Sequence, residues 1–358
     1  MERDIGDIRR EIDAIDEQFL KLLNRRSSLS VEIGHMKRAS LKSVFDPARE
    51  DEIILRLDPM IEPPLTLPMM ERIFREIFSL SRAMQLRQKV AFLGPEGSFS
   101  HQAAFRVFSL DGDLVPQKDI ESVIEAVASS RVDLGVVPVE NSTEGMINQT
   151  LDMMATTRLS ICQEVLLPIR HCLLATVPRE RVERVFSHPQ AIAQCRGWLS
   201  ASLPRAEIVE TSSTSDAALS ARSRENSAAI ASSLASELYG LPIIAEGLND
   251  CRENITRFWV ISRCALPVKG IAKTSIIVTL DNTPGSLYNA LGVFASNGIN
   301  LTKIESRPSK KSPWEYLFFI DFQGNLSEDR VKVAMEETRA FTRDIIVLGS
   351  YPEGRTLA

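Results

Sequence analysis

At 358 residues, 44% hydrophobic and 25% charged, the chain has the composition of a soluble globular protein with room for two or three domains. Its formal net charge of -5 gives no general attraction to nucleic acid or anionic membranes, so neither is expected as a partner. A charged N-terminus, no stretch of about 18 apolar residues, and five cysteines without C-x-x-C spacing point to a cytoplasmic protein with reduced thiols and no metal site.

From Ile5, the apolar residues Ile5, Ile8, Ile12, Ile15, Phe19, Leu22, Leu29, Ile33 and Met36 recur at three- and four-residue spacing, which predicts one long helix. A helix on the order of 50 Å is more than a small domain covers, so a homodimer or higher homo-oligomer is expected. Arg26 stands where the repeat calls for an apolar residue, and burying an unpaired guanidinium costs several kcal/mol, so an anion is expected to meet it. Arg9 and Lys37 flank the same stripe; snorkelling to water, or pairing with Glu11, Asp13 or Glu32, stays open for all three cations. In "FDPARED", Asp46 caps and Pro47 opens a second helix reaching Leu57. The proline-rich "DPMIEPPLTLP" is a loop, and a third helix over Met69–Gln88 sets Ser81 and Gln85 on one face at i, i+4 spacing.

"IRREIDAIDEQFLKLLNRRSSLSVEIGHMK" followed by "DPARE" resembles the all-helical chorismate mutase family, over residues 1–88. The resemblance implies that Arg9 and Arg26 hold carboxylates, with Arg9 reaching the partner subunit's site. It implies further that Lys37 and Gln85 address the ether oxygen, Arg49 assists anion binding, Asp46 and Glu50 lie near the substrate hydroxyl, and Ser81 lines the pocket. Rearranging a dianion needs orientation and stabilisation of charge on the ether oxygen, and no proton transfer.

From Lys89 the period changes. "KVAFLG" reads as a strand and "GSFSHQAAFRVF" as a capped helix, and strand-like runs follow at "DLGVVPVEN", "HCLLATV", "AEIVET", "SAAIAS" and "RFWVISR", alternating with helical stretches. "GPEGS" matches no nucleotide-binding pattern. Ligand sites in such α/β sheets favour strand C-terminal ends and the helix starts that follow. Glu140 and Asn141 stand at one such end, Gln190 and Gln194 lie one turn apart, and "ETSSTSDAA" crowds hydroxyls at a helix start. Each cluster alone is ordinarily a turn, a surface helix or a cap.

In order and wording, "AFLGPEGSFSHQAA", "VVPVENSTEG", "SHPQAIAQC", "TSSTSDAA" and "TRF" resemble prephenate dehydratase, over residues 89–267. The resemblance implies two α/β lobes with the site in the cleft, and loss of water and carbon dioxide from prephenate to give phenylpyruvate. By that resemblance Thr256 and Glu140 are catalytic, Asn141, Ser187 and Gln194 lie in the site, and Arg257 and Phe258 complete it. A threonine hydroxyl is a weak acid, so it serves as a positioned hydrogen bond with Glu140 or another group as the proton source.

After the linker "ALPVKGIAK", the order strand, helix, strand, strand, helix, strand fits a ferredoxin-like α+β module over residues 268–358. "DNTPGSLYNALGVFASNGINLTKIESRP" resembles the ACT regulatory domain. That implies phenylalanine binding by the loop at Gly285, Ser286, Leu287 and Tyr288 and by the segment Glu305, Ser306, Arg307 and Pro308. Glu305 and Arg307 also read simply as an exposed strand pair.

The expected molecule is therefore multidomain: an all-α domain, a two-lobed α/β domain and an α+β ferredoxin-like domain. The resemblances imply a bifunctional enzyme acting on chorismate and then prephenate without a cofactor, with phenylalanine as effector. Two rivals stand beside it: preference for arogenate, the aminated analogue, and a non-catalytic ligand-sensing protein.

Overall fold

The structure, a computed structural model, describes residues 4–39, 44–251, 253–266, 268, 271–309 and 316–354. The long N-terminal helix is continuous: α1 (Ile5–Ala39) is followed by α2 (Pro47–Leu57) and α3 (Leu67–Gln85). Asp46 caps α2 as expected, accepting from the Arg49 amide at 3.1 Å. The third helix stops three residues short of expectation because Leu86 turns extended (φ -167, ψ 127) and Gln88 opens the first strand.

Within α1 only Ser30 and Gly34 are buried among the residues whose side chains are described. At Gly34 a Cβ would come within 2.9 Å of Gln85 Cα, so the missing side chain is what lets α1 cross α3 closely. The apolar stripe otherwise faces outward, with Ile5, Phe19, Leu22 and Met36 each more than half exposed.

The α/β domain begins with β1 (Gln88–Leu93), α4 (Phe99–Val107), β2 (Gly112–Gln117), α5 (Ile120–Ala128), β3 (Leu134–Asn141), β4 (Gly145–Met146), α6 (Asn148–Met154) and β5 (Ser160–Pro168). The chain crosses to a second lobe of β6 (Cys172–Ala175), β7 (Arg184–Ser187), α7 (Pro189–Gln194), α8 (Arg196–Ser202), β8 (Glu207–Glu210), α9 (Thr214–Arg222), β9 (Ser227–Ala231), α10 (Ser233–Tyr239) and β10 (Ile243–Glu246). It then returns as β11 (Ile255–Ser262).

The first-lobe sheet runs β2-β1-β3-β11-β5, with β4 on β3, and β11 is antiparallel to both neighbours. The second runs β10-β6-β9-β7-β8. Sequence periodicity left β2, β4, β5, β7 and β10 unnamed. Two are four residues long, and β5 mixes Gln163 and Glu164 into an otherwise apolar run.

The last domain is β12 (Ala272–Thr279), α11 (Ser286–Ser296), β13 (Leu301–Pro308), β14 (Tyr316–Gln323), α12 (Asp329–Arg339) and β15 (Asp344–Pro352), in the order expected of a ferredoxin-like module. Its sheet, β13-β14-β12-β15, is wholly antiparallel. One face covers Val293, Phe294, Val331 and Met335 of its helices. The other lays Ile277, Phe319, Leu348 and Tyr351 against Val137, Val139, Trp259 and Ile261 of the first lobe. β15 approaches β5 backbone to backbone at Gly349 (φ +148), where a Cβ would stand 2.5 Å from the Ile161 carbonyl oxygen. No helix among the described residues is long and apolar enough to cross a membrane.

Candidate active sites

In the helical domain a cluster forms where α1 crosses α3. Arg26, half-buried, donates to Ser81 Oγ and, at 3.4 Å, to the Ile77 carbonyl, with its guanidinium 5.8 Å from the Phe78 ring. Burial lowers the Arg26 pKa, and the nearby Glu50 charge opposes that shift. Gln85 Nε2 donates to the Ser81 carbonyl at 3.2 Å, leaving its second amide hydrogen for another acceptor. Gln85 Oε1 is buried and meets no hydrogen-bond donor among the described residues.

The remaining expected residues lie around this cluster at different ranges. Lys37 donates to the Val44 carbonyl at 3.2 Å, and Asp46 is engaged in its cap. Glu50 accepts from Arg82 of α3, a residue the sequence reading passed over. Arg49 is exposed and paired with Glu52 at 2.9 Å, on the rim. Arg9 is exposed near the start of α1, about 25 Å along the helix from Arg26 at about 1.5 Å per residue. It does not join the Arg26 cluster of its own chain.

The second site lies at the two crossings between the α/β lobes. The C-terminal end of β3 pairs with the N-terminal end of β11, setting Asn141 directly opposite Thr256, both buried. The Asn141 carboxamide is fixed in orientation, because its Oδ1 accepts from the Thr143 amide at 3.0 Å, the Glu144 amide at 3.2 Å and the Thr143 hydroxyl at 2.5 Å. Its Nδ2 must therefore donate: to Asn254 Oδ1 at 2.7 Å and to Thr256 Oγ1 at 2.9 Å. Thr256 thus accepts from Asn141 and keeps its own hydroxyl hydrogen for whatever occupies the cleft.

The network extends into the second lobe. Gln194 Oε1 accepts from Asn254 Nδ2 and from His171 Nε2, each at 3.0 Å, and Gln194 Nε2 donates to Glu144 Oε1 at 2.8 Å. With Gln194 Oε1 as acceptor, His171 must be the donor through Nε2, which leaves Nδ1 as an acceptor, buried and unpartnered. Burial lowers the His171 pKa and so favours this neutral form, an effect partly opposed by the bond to Gln194. Asn254 carries a legible signal, since a residue two before Thr256 falls on the same face of an extended chain. His171, Thr143 and Glu144 carry none.

Four of the expected residues lie apart from this network. Glu140 and Arg257 face each other across β3 and β11 on the side opposite Thr256, toward the last domain. Glu140 accepts from Lys303 of β13 and lies 3.8 Å from Arg257. Arg257 is held by Asp321 at 2.7 Å, Glu164 at 3.3 Å and Tyr351 Oη at 3.1 Å. Successive strand residues point to opposite faces, so Thr256 and Arg257 do not share a cleft. Phe258 returns to the Thr256 face but one pleat deeper, 1% exposed in the core among Phe92, Val136 and Val165. Ser187, 0% exposed at the end of β7, spends its hydroxyl on the Ile230 carbonyl at 2.8 Å and does not join the Thr256 network.

In the last domain Gly285 (φ +86) opens α11, Ser286 bonds with Thr283, and Leu287 packs on the domain core, while Tyr288 is exposed. Glu305, Ser306 and Arg307 lie on edge strand β13, with Ser306 exposed and Glu305 and Arg307 half-buried. Arg307 is not a free strand charge, since it pairs with Asp152 of α6 at 3.1 Å. Among the described residues no group of three or more His, Cys, Asp or Glu side chains is arranged to hold a metal ion.

Three family patterns match the chain in order: chorismate mutase type II over residues 8–86, prephenate dehydratase over 90–265 and the ACT domain over 274–337. A bifunctional chorismate mutase/prephenate dehydratase of Aquifex aeolicus is 42% identical over 355 residues, covering 98% of each chain. The crystal structure of the Arthrobacter aurescens prephenate dehydratase in complex with L-Phe is 36% identical, with a TM-score of 0.69 over 74% of this chain and 90% of that one. A structure described as a quorum quenching acylase, GqqA, is 30% identical, with a TM-score of 0.68 over 74% of this chain and 98% of that one. With all three patterns present and a relative of the same length matched end to end, the chain belongs to the bifunctional chorismate mutase/prephenate dehydratase family.

Proposed function

We propose that the Arg26 cluster rearranges chorismate to prephenate and that the Thr256 network converts prephenate to phenylpyruvate, under feedback by phenylalanine at the ACT domain. In the first step Arg26 holds a substrate carboxylate and Lys37 and Gln85 donate to the ether oxygen as its bond breaks. No group need exchange a proton, because positioning and charge stabilisation lower the barrier of a pericyclic reaction. Arg9 serves the site of a second subunit, which fits its distance from Arg26 and the uncovered apolar stripe of α1.

In the second step the electrons of the breaking carbon–carboxylate bond enter the ring as the ring hydroxyl departs. Carbon dioxide leaves, the departing hydroxyl takes up a proton as water, and aromatisation drives the reaction. The observation that carries this reading is the fixed Asn141 carboxamide, which turns Thr256 Oγ1 into an acceptor on the protein side and a donor on the cleft side. Thr256 then hydrogen-bonds the departing hydroxyl in the transition state. Glu140, engaged with Lys303, is left out of this step.

The overall fold of the last two domains does not separate this reading from acyl hydrolysis, since the structures described as a prephenate dehydratase and as a quorum quenching acylase share it. The helical mutase domain favours the biosynthetic reading. So does Cys195, whose thiol burial pushes up to about 12, far from a reactive thiolate. Free thiols at all five cysteines suit a reducing cytoplasm.

The deciding experiment follows chorismate consumption and phenylpyruvate formation separately in purified Arg26→Ala and Thr256→Ala, with prephenate and arogenate both supplied to the second step. Arg26→Ala is expected to abolish only the first activity and Thr256→Ala only the second. Equal loss of both activities in either variant would overturn the two-site assignment. Phenylalanine is expected to raise the thermal midpoint and slow prephenate turnover, and no change in either would remove the regulatory reading.

A further inference from the structure

Arg82 follows Ser81 on α3, is 4% exposed, and uses all three guanidinium nitrogens. Nε donates to Asp111 Oδ2 at 2.6 Å, Nη2 to Asp111 Oδ1 at 3.1 Å and to the Val107 carbonyl at 2.6 Å, and Nη1 to Glu50 Oε1. Phe45 and Phe108 lie beside it, with ring centroids 5.7 and 5.9 Å from the guanidinium carbon. Asp111 belongs to the dehydratase domain, is 0% exposed, and also accepts from Ser79 Oγ at 2.7 Å. The guanidinium therefore has an anchored end, forked on Asp111, and a reaching end on Glu50 of the mutase domain.

We propose that Arg82, anchored on Asp111, is a positioning residue for the mutase reaction: it fixes the Glu50 carboxylate in the mutase pocket, so that a dehydratase-domain residue completes the mutase site. This rests on the reading that places Glu50 in that pocket.

A glutamate on a helix surface samples several rotamers, and a charge-assisted bond from a rigid donor selects one. The donor must itself be held, and a planar guanidinium gripped bidentately by a buried carboxylate is held more firmly than a lysine ammonium. Anchoring also solves an electrostatic problem, since Arg82 without Asp111 would leave a buried cation with one partner. Burial raises the Glu50 pKa, and Arg82 opposes the rise, which favours the charged acceptor that a substrate hydroxyl needs.

The test uses the full chain as wild type, Glu50→Gln, Asp111→Asn and the Glu50→Gln/Asp111→Asn double variant. KM and kcat are measured for chorismate, and kcat/KM for prephenate. Asp111→Asn is expected to raise the chorismate KM and lower mutase kcat/KM about tenfold, while dehydratase kcat/KM stays within about twofold. In the Glu50→Gln background the same substitution is expected to add less than about twofold, because the group it positions is already altered.

Multiplicative losses in the double variant would overturn the proposal. A fall in kcat at unchanged KM, the signature of fewer folded molecules, would do the same. Either result leaves the placement of Glu50 standing, whereas normal mutase activity in Glu50→Gln removes that placement and the proposal with it. If Asp111→Asn does not accumulate as folded protein, Arg82→Lys, which keeps the charge and loses the fork, is judged by the same criteria.

Discussion

Arg257→Met separates two roles that the sequence had combined in one signature. The Arg257 side chain is 9% exposed, Glu164 2% and Asp321 7%, with nearest contacts of 3.3 and 2.7 Å. Two unit charges about 4 Å apart attract by about 4 kcal/mol at an effective dielectric near 20. Much of that is spent on desolvation, but removing one partner of a buried pair costs about 3–5 kcal/mol because a charge is stranded. Glu164 keeps Lys273 at 2.9 Å, and Asp321 keeps Ser275 Oγ at 2.5 Å, so the lower end, about 3 kcal/mol, applies here.

The assay is urea unfolding followed through Trp259, whose ring lies 5.4 Å from the Arg257 guanidinium. Arg257→Met should lower that transition by about 3 kcal/mol. Adding Asp321→Asn should recover about 1 kcal/mol or more, because one stranded charge is then gone. A loss below about 1 kcal/mol, or no recovery in the double variant, would refute the reasoning. Unchanged stability with a prephenate KM raised about a hundredfold would put Arg257 back in the cleft.

Gly349→Ala, forced against the Ile161 carbonyl in a left-handed region, should cost about 1–3 kcal/mol, measured as an earlier unfolding transition of the ACT domain; an unchanged midpoint sinks the close approach. Burial holds His171 below its ordinary 6.5, so its stabilising effect is complete above about pH 6.5 and is lost as pH falls through the depressed folded value. The thermal midpoint should therefore fall between pH 7.5 and 5.5, and less steeply in His171→Gln. His101, depressed by burial, acts in the same sense, and Glu50, raised by burial, in the opposite sense, so the comparison is the difference between the two proteins. Phe19→Asp with Leu22→Glu on α1 should yield a smaller species in sedimentation and abolish mutase activity, and a full-size active enzyme would exclude an α1 interface. Lys303→Met should weaken inhibition of prephenate turnover by phenylalanine several-fold at little cost in stability, and unchanged inhibition would detach Lys303 from the regulatory path.

Much of the fold was legible where one face of an element is buried and the other is not. α3, which buries Met70, Phe78 and Ser81, and β13, which alternates half-buried and exposed residues, are of this kind, whereas the period of α1 was legible although its apolar stripe lies exposed in the single chain. Of the strands missed, β4, β7 and β10 are short, β5 is covered on both faces, and β2 is a partly exposed edge strand interrupted by Pro116. The polar clusters at strand ends were found because a strand end needs capping anyway, and Asn141, Gln194 and Thr256 of the network that the structure joined were drawn from them. The pairing of β11 between β3 and β5 was not legible, since β11 returns to its lobe after an excursion of more than 80 residues. The separation of Glu140 and Arg257 from Thr256 was legible from elementary geometry: adjacent strand residues point apart, so a signature containing Thr256 and Arg257 serves two faces.

That division gives the regulatory domain a physical route to the cleft. β3 ends in Glu140 on the ACT face and Asn141 on the cleft face, and β11 begins with Thr256 on the cleft face and Arg257 on the ACT face. The ACT sheet grips this corner with contacts of unequal strength. Arg257 and Lys273, nearly buried among Glu164 and Asp321, form a junction that costs several kcal/mol to break. Lys303 with Glu140, and Arg307 with Asp152, have side chains about a fifth to a quarter exposed, and contribute about 1 kcal/mol each. A coupling of 1–3 kcal/mol between effector and substrate is enough to rearrange the second set and too small to open the first. Both weak pairs come from β13, the strand that carries Glu305 and Ser306. A ligand that shifted β13 would therefore release Glu140 with β12 and β15 still docked, and the strand end so freed would carry Asn141, the residue that orients the Thr256 hydroxyl.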